Sequence, residues 1–524
     1  MLKGAIILKK MHWIMPAIIL LIGVFILVLN NYKDVTAVPS DSWTREVELA
    51  TTSIQSNIKT TLNSNGSYNI YYFTDNGLVE GKYNESLELI DQSSYDIPYT
   101  KWTEVYPGDK NIVYADNEAM YQTESNEKIS DIQEFIPLKN GMIYQWNDKI
   151  YYLEGNSLDK RLLIESVSKE TLIDVYQPTA TNTYIMLSDK QRNATEYRLL
   201  KWDGKNVTEI DQQTIELEPS LTLEELSFTV DNNQLSLFIN AGPLDKHTYL
   251  PEDNYYFTQQ KIGSPISLNP VPFNDPFSRN DLQNVKDIEL DVKDGKSELL
   301  FRAKGSTETK YRDAVEYNVY KAVLNGQGKV DVTRLSNTPW LSKNPSWVSD
   351  DVVVWLDVTG DTNKLFAAGS TDLENLPESS LSKDTGFRIV GKTMVMLASG
   401  LLTLLVTIGW YVVPLGFIGI MTFGSNNALD KGKEWVFYTP ALLYVAVALY
   451  FNEQLFSEKV ISRLPAYLDF PGSPFILICA FGVITYLIMA TTDLKERWSI
   501  PKRITYFVAV HISFLMIFVG PFIL

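Results

Sequence analysis

With one cysteine and three histidines in 524 residues, the chain has almost none of the side chains on which thiol, zinc or imidazole chemistry is built. A zinc site needs three or four converging ligands, and Cys479, His12, His247 and His511 show no ligand spacing. No Gly-x-Ser-x-Gly turn is present. Gly263-Ser264-Pro265 puts a proline where a nucleophile turn needs freedom, so His247 has no serine to serve. The Ser-x-Asp-x-Gly box of sialidases is missing too, because Val292-Lys293-Asp294-Gly295-Lys296 lacks its spacing and reads as a hairpin turn. No motif for a cofactor is found, and none is expected.

Positive charge is also scarce. Lys and Arg number 46 against 63 Asp and Glu, for a net charge of −17. The imbalance is concentrated in residues 34–387, with 32 cations and 56 acids, whereas the remainder holds 14 cations and 7 acids. So acidic a region is a poor partner for nucleic acid or anionic lipid, whose binding rests on neutralising phosphate with Lys and Arg. Its field suits cationic peptides or metal ions, or serves solubility alone. The same region contains no cysteine and so no disulfide. At this length a hydrophobic core suffices, and a bacterial envelope fits better than an oxidising eukaryotic compartment. Four Asn-x-Ser/Thr triplets, at Asn65, Asn84, Asn193 and Asn206, are what a chain rich in Asn, Ser and Thr supplies by composition.

What the sequence has in plenty is uncharged apolar runs, split one against four. The first, Met11 to Tyr32, is close to the roughly 20 residues that cross a bilayer core. Lys3, Lys9 and Lys10 before it hold that end in the cytoplasm. Val35-Thr36-Ala37 loosely resembles a cleavage site, but the apolar core is longer than a signal peptide's, so an uncleaved anchor is expected. The others are Ile389 to Phe423, Trp435 to Phe451, Pro474 to Ala490 and Ile504 to Leu524. Lys431 and Lys433, and then Lys495, Arg497, Lys502 and Arg503, mark alternate loops as cytoplasmic. Five spans follow, with the polar domain and the C-terminus outside.

Within the long second run a full span is expected from Gly391 to Val413, and then a kink at Pro414, near Gly416, Gly419 and Gly424. Trp410, Tyr411, Trp435 and Trp498 stand where interfacial aromatics belong, and Lys392 is placed to snorkel. Ala398-Ser399-Gly400 and Gly409 permit close helix contact. His511, about eight residues into the last span, is the intramembrane polar candidate. No Asp, Glu or Arg accompanies it at depth, which favours a neutral imidazole bonded to a neighbouring helix over a proton relay.

The polar domain alternates β-branched or aromatic runs with Asn, Asp and Gly turns, among them Asn147-Asp148, Asp203-Gly204, Asp231-Asn232-Asn233 and Asp294-Gly295. One leading run starts near each of 69, 111, 142, 184, 226, 288 and 347. This spacing predicts an all-β exported domain, a β-propeller of about seven blades, with insertions at Gly242 to Phe277 and Lys304 to Arg312. A sandwich or stacked barrels show similar spacing. The stretch Asn344-Pro345-Ser346-Trp347-Val348-Ser349-Asp350-Asp351 before Val352-Val353-Val354-Trp355 resembles the proline-to-strand openings of bacterial propeller repeats.

The expected division is an anchor over 1–32, a juxtamembrane segment over 33–68, the propeller over 69–369, a linker over 370–388 and a four-helix membrane bundle over 389–524. Trp43, Val47, Ile54, Ile58 and Leu62 have the spacing of an amphipathic helix capped by Asp41 or Ser42, and an irregular stalk leading to the first strand is an equal alternative. Asp357, Asp361 and Asn363, around Gly360, share the composition of calcium loops without the EF-hand spacing. Together these features lead to an expectation of a non-catalytic membrane protein whose exported propeller binds a protein, peptide or envelope glycan. A transporter or transporter-accessory subunit and an envelope glycan hydrolase with paired carboxylates are the alternatives.

Overall fold

The computed structural model describes residues 2–108, 110–179, 181–191, 193–244, 253–278, 280–306, 316–324, 330–360, 362–371, 383–424, 433–492 and 494–523. Residues 38–305 and 314–379 belong to one compact unit, and residues 1–37 and 380–524 to another.

The first unit is a β-propeller of seven four-stranded antiparallel sheets. Its innermost strands are Lys59–Leu62, Glu104–Pro107, Glu134–Pro137, Leu172–Thr179, Leu221–Asp231, Gln283–Lys293 and Leu341–Ser349. Val47–Thr52 is the outermost strand of blade seven, pairing antiparallel with Asn363–Gly369, so the start of the domain closes the ring. Beside this closure Thr44 N donates to Gly369 O at 2.9 Å, and Thr371 N to Ser42 O at 3.0 Å, so the chain enters and leaves the propeller side by side.

The ring closure corrects two expectations. The segment from Trp43 to Leu62 is not an amphipathic helix, and the propeller begins at Val47 rather than at residue 69. Its Thr-rich strands, Val47–Thr52 and Lys59–Leu62, find their partners in Asn363–Gly369 and Tyr68–Thr74, one of them over 300 residues away. A local count of apolar spacing sees no such partner.

The predicted hairpin turns form where placed. Asn147 (φ 56°), Asn232 (47°), Asn233 (65°) and Asp294 (50°) adopt the left-handed backbone that tight hairpins require, and Asn and Asp tolerate it best. Blades stack through their middle strands, which are apolar on both faces. Val352, Val354 and Leu365 of blade seven pack on Ile70 and Tyr72 of blade one, while Leu235, Leu237 and Ile239 of blade five pack with Met186 and Leu199 of blade four. Each such fully buried side chain contributes about 1.5–3 kcal/mol. In blades one to four the run starting near 69, 111, 142 or 184 is therefore the second strand, because the middle strands carry the strongest apolar signal. The expected insertions fall around breaks in description at 245–252 and 307–315, within blades five and six.

The second unit is helical: α1 (Leu2–Thr36), α2 (Lys383–Gly400), α3 (Leu402–Thr407), α4 (Val412–Gly424), α5 (Trp435–Tyr450), α6 (Ser473–Ala490) and α7 (Ile500–Phe518). Four stretches, Met11–Thr36, Thr385–Gly424, Ser473–Ala490 and Ile500–Phe518, are long and apolar enough to cross a bilayer, and α5 is a shorter apolar helix. The break expected in the long second run takes the form of a 3₁₀ turn at Ile408–Tyr411 ahead of Pro414, which has no N–H to give Trp410 O. Since α2 starts at Lys383, the linker expected over 370–388 ends earlier; residues 372–382 lie outside the described ones.

Contacts between helix ends gather into two sets within the helical unit. Asn31 Nδ2 donates to Thr393 Oγ1 at 2.9 Å, Asp34 pairs with Lys392, and Asn30 Nδ2 donates to Tyr467 Oη at 2.7 Å, which gathers the end of α1, the start of α2 and the α5–α6 loop. At the opposite end Trp13 lies against Trp498 and Tyr506, and Arg503 pairs with Glu434 at 3.4 Å. Gly400 and Gly520 allow the closest approach, because a Cβ on Gly520 would stand 2.7 Å from Gly400 Cα; Gly409 has no such neighbour.

Candidate functional site in the central channel

Each of the seven innermost strands has one edge without a strand partner in its sheet. All seven blades contribute to a cavity of about 1550 Å³ lined by, among others, Lys59, Tyr106, Gln177, Glu225, Asp287, Glu289, Asp291, Lys293 and Asn344. Innermost strands carry more polar residues than the middle ones because one of their edges borders this water-filled space rather than a neighbouring strand.

Bulges set the acidic residues. Register shifts occur at Leu223/Glu225 in blade five, on both sides of Lys286 in blade six, and at Lys343/Ser346 in blade seven. Asp287 (φ 54°) and Asn344 (φ 48°) sit in these bulges in the left-handed region, where an extra residue re-aims its neighbours. Asp287 Oδ2 accepts from Arg302 Nε at 2.6 Å and from Asn344 N at 3.1 Å, fastening blade six to blade seven. Lys59 pairs with Glu104 at 2.9 Å between blades one and two. Lys293 stands 3.1 Å over the Trp347 ring and 3.5 Å from Asp350, and its burial holds it below the usual ammonium range. Tyr176 Oη of blade four reaches Asp291 Oδ1 of blade six at 3.4 Å.

Four carboxyl groups here are held well above the ordinary range. Burial pushes Glu225 up to about 7, with repulsion from Asp287, Asp174 and Asp253 adding to it. Burial and the neighbouring Asp291 raise Glu289 to about 7, against a lowering hydrogen bond from the Trp347 backbone. Towards the strand starts the acidic line continues: burial takes Asp174 to about 6, and burial with the Asp174 charge takes Glu134 to about 7. Near neutral pH these groups share a limited number of protons and respond to any cation brought among them.

None of these residues is singled out by a sequence motif. One signal was present: Asp287-Ile288-Glu289-Leu290-Asp291-Val292 alternates acid with apolar residues, the period of a strand with one face on a polar channel. Glu134 and Asp174 lie in innermost strands whose apolar pattern is weaker than that of the middle strands following them.

Asp357 and Asn363, two of the calcium-loop candidates, are not brought together. Asp357 is opposite Lys364, and Asn363 is opposite Val358, so they point to opposite faces of the hairpin. Asp357 is fully buried, accepting from Ser342 Oγ at 2.8 Å and Trp355 Nε1 at 3.0 Å, with its carboxyl raised to about 6 by burial. Asp361 and His247 lie outside the described residues. Among the described residues no three His, Cys, Asp or Glu side chains converge as a metal site would require.

His511 is fully buried between three helices. Tyr444 Oη of α5 lies 2.8 Å from Nδ1, and Ile478 O of α6 lies 2.9 Å from Nε2. A carbonyl only accepts, so the bond to Ile478 places the proton on Nε2 and leaves Nδ1 to accept from the tyrosine. The imidazole stacks on Phe507 with planes 7° apart. Both ring nitrogens are occupied in joining helices.

No protein-family model matches the chain, and no curated protein matches it in sequence. Among solved structures it is similar in fold to oligogalacturonate lyase in complex with manganese, with a TM-score of 0.39 and 11% identity over 66% of this chain and 97% of that one. The Neurospora crassa Pan2 WD40 domain is similar at a TM-score of 0.36 and 12% identity, over 63% and 96%. Penicillium chrysogenum alpha-L-arabinanase complexed with arabinobiose is similar at 0.32 and 9%, over 64% and 100%. None of these likenesses bears on the chemistry of this channel.

Proposed function

We propose that this chain is a multi-pass protein of a bacterial cell membrane, with its N-terminus in the cytoplasm and its propeller and C-terminus outside, and that the propeller binds a cationic segment of a partner protein or peptide in its channel. The cavity of about 1550 Å³, lined from every blade and carrying Glu225, Asp287, Glu289 and Asp291, is the observation that supports this reading. A cationic side chain entering it draws Glu225 and Glu289 into their charged form, so binding releases protons. The test is a titration of the purified full-length protein in detergent with fluorescent oligolysine. Salt-sensitive binding that weakens at least tenfold in a Glu225→Gln, Glu289→Gln double variant is expected. Equal affinity in the double variant overturns the reading.

One observation favours an envelope glycan hydrolase as a second reading. Glu225, protonated up to about pH 7, stands near Asp287, which is tied to Arg302 at 2.6 Å. A carboxyl group raised by burial can act as the general acid about a glycosidic bond, with a second carboxyl group nearby as its partner. Turnover of envelope glycans lost on Glu225→Gln selects this reading over binding alone.

A further inference from the structure

The helical unit contains a groove of about 610 Å³ between α1 and α7, independent of whatever the propeller binds. Trp13, Pro16, Ala17 and Leu20 form one wall, and Pro501, Tyr506, Ala509 and Val510 contribute to the other. Small side chains make it deep. Pro16 also lacks the N–H that would satisfy His12 O one turn earlier, and Tyr506 Oη supplies the missing bond, which draws the two helices together at the groove's end.

The end of the groove is chemically distinct. Trp13, Trp498 and Tyr506 cluster there with ring centroids 5.5–6.4 Å apart, the arrangement of an interfacial aromatic belt. Two cations follow each other at the start of α7 and are used differently. Arg503 turns inward, pairing with Glu434 at 3.4 Å and lying 4.4 Å over the Phe437 ring. Lys502 is exposed at the groove, with no acid beside it among the described residues. An exposed ammonium beside an apolar trough complements a molecule that is anionic at one end and aliphatic at the other.

We propose that this groove is a binding site for an anionic phospholipid, with one acyl chain lying along Ala17, Ala509 and Ser513 and the headgroup phosphate on Lys502. Thr505 is engaged with Tyr411 Oη at 2.7 Å and Ser513 with Ala509 O at 2.7 Å, so both hydroxyls are turned into helix contacts and the trough stays apolar. Selectivity for a net-negative headgroup therefore falls to Lys502.

The full-length protein, purified in detergent, is examined by native mass spectrometry with added phosphatidylglycerol or phosphatidylcholine. Retention of phosphatidylglycerol over phosphatidylcholine is expected. Lys502→Gln should weaken phosphatidylglycerol retention about fivefold, the worth of one cation at a membrane surface, and leave phosphatidylcholine unchanged. Ala509→Phe, which fills the trough, should reduce retention of both, whereas Leu442→Phe, on the exposed side of α5, should not. Ala17→Leu serves in place of Ala509→Phe if that variant misfolds. Equal retention of the two lipids by the wild type, or wild-type retention by Lys502→Gln, overturns the proposal.

Discussion

The propeller and the helical unit are built inside out relative to each other. In the propeller Trp355, Tyr144, Phe238 and Phe301 are among the fully buried side chains, and an acid as deeply buried as Asp357 is held by hydrogen bonds. In the helical unit Leu405, Ile420, Phe423 and Leu442 are exposed, while His511, Thr403, Thr407 and Thr485 are completely buried. The difference is the one expected if, as proposed, the helices face a bilayer and the propeller faces water. Water drives apolar groups inward by roughly 25 cal/mol per Å² of area removed. Hydrocarbon would supply no such force, and the helices are joined by close contact at Gly400 and Gly520 and by hydrogen bonds such as those of His511.

The contrast can be broken most severely at the ring closure. Deleting Val47–Thr52 removes the outermost strand of blade seven, and a loss on the order of 5 kcal/mol, comparable to a whole domain's stability, is expected. Protease resistance of the propeller in the full-length protein should vanish, with the helical part still protected by detergent.

Next comes pH, which acts on the propeller in the unusual direction. Glu134, Asp174, Glu225, Glu289 and Asp357 have folded values raised to about 6 or 7, above the 4 to 4.5 of an unfolded chain. The folded state therefore binds more protons, and its stabilisation is complete below about pH 4 and lost as pH rises through 6 to 7. The propeller's thermal midpoint should be higher at pH 5 than at pH 8, and Glu225→Gln combined with Glu134→Gln should flatten the slope. A midpoint that rises from pH 5 to pH 8 contradicts this assignment.

In the helical unit, His511→Ala leaves Tyr444 and Ile478 O without their partner, and a cost of about 1–2 kcal/mol is expected, seen as a lower midpoint in detergent with the propeller transition unmoved. The smallest effect sharpens the same contrast from the other side. Asn147→Ala, at a left-handed turn position, should cost the propeller about 1 kcal/mol and leave the helical transition alone.

Much of this was legible along the chain. Apolar runs mark the helices because a bilayer crossing demands length and neutrality locally, and Asn147-Asp148 or Asp294-Gly295 mark turns because left-handed backbone is a property of single residues. Seven middle or leading strands were countable because burial on both faces leaves a continuous apolar run. His511 was visible as a lone polar group in a span, but its partners were not.

By itself the sequence determined the seven-fold β repeat and the division into polar and apolar parts. Only the tertiary structure decided that Val47–Thr52 closes the ring, that bulges aim Glu225 and Asp287 at one channel, and that Asp357 and Asn363 face apart. Local order follows from neighbours three or four residues away, whereas ring closure, strand register and the convergence of charges join residues tens to hundreds of positions apart, whose pairing no local pattern encodes.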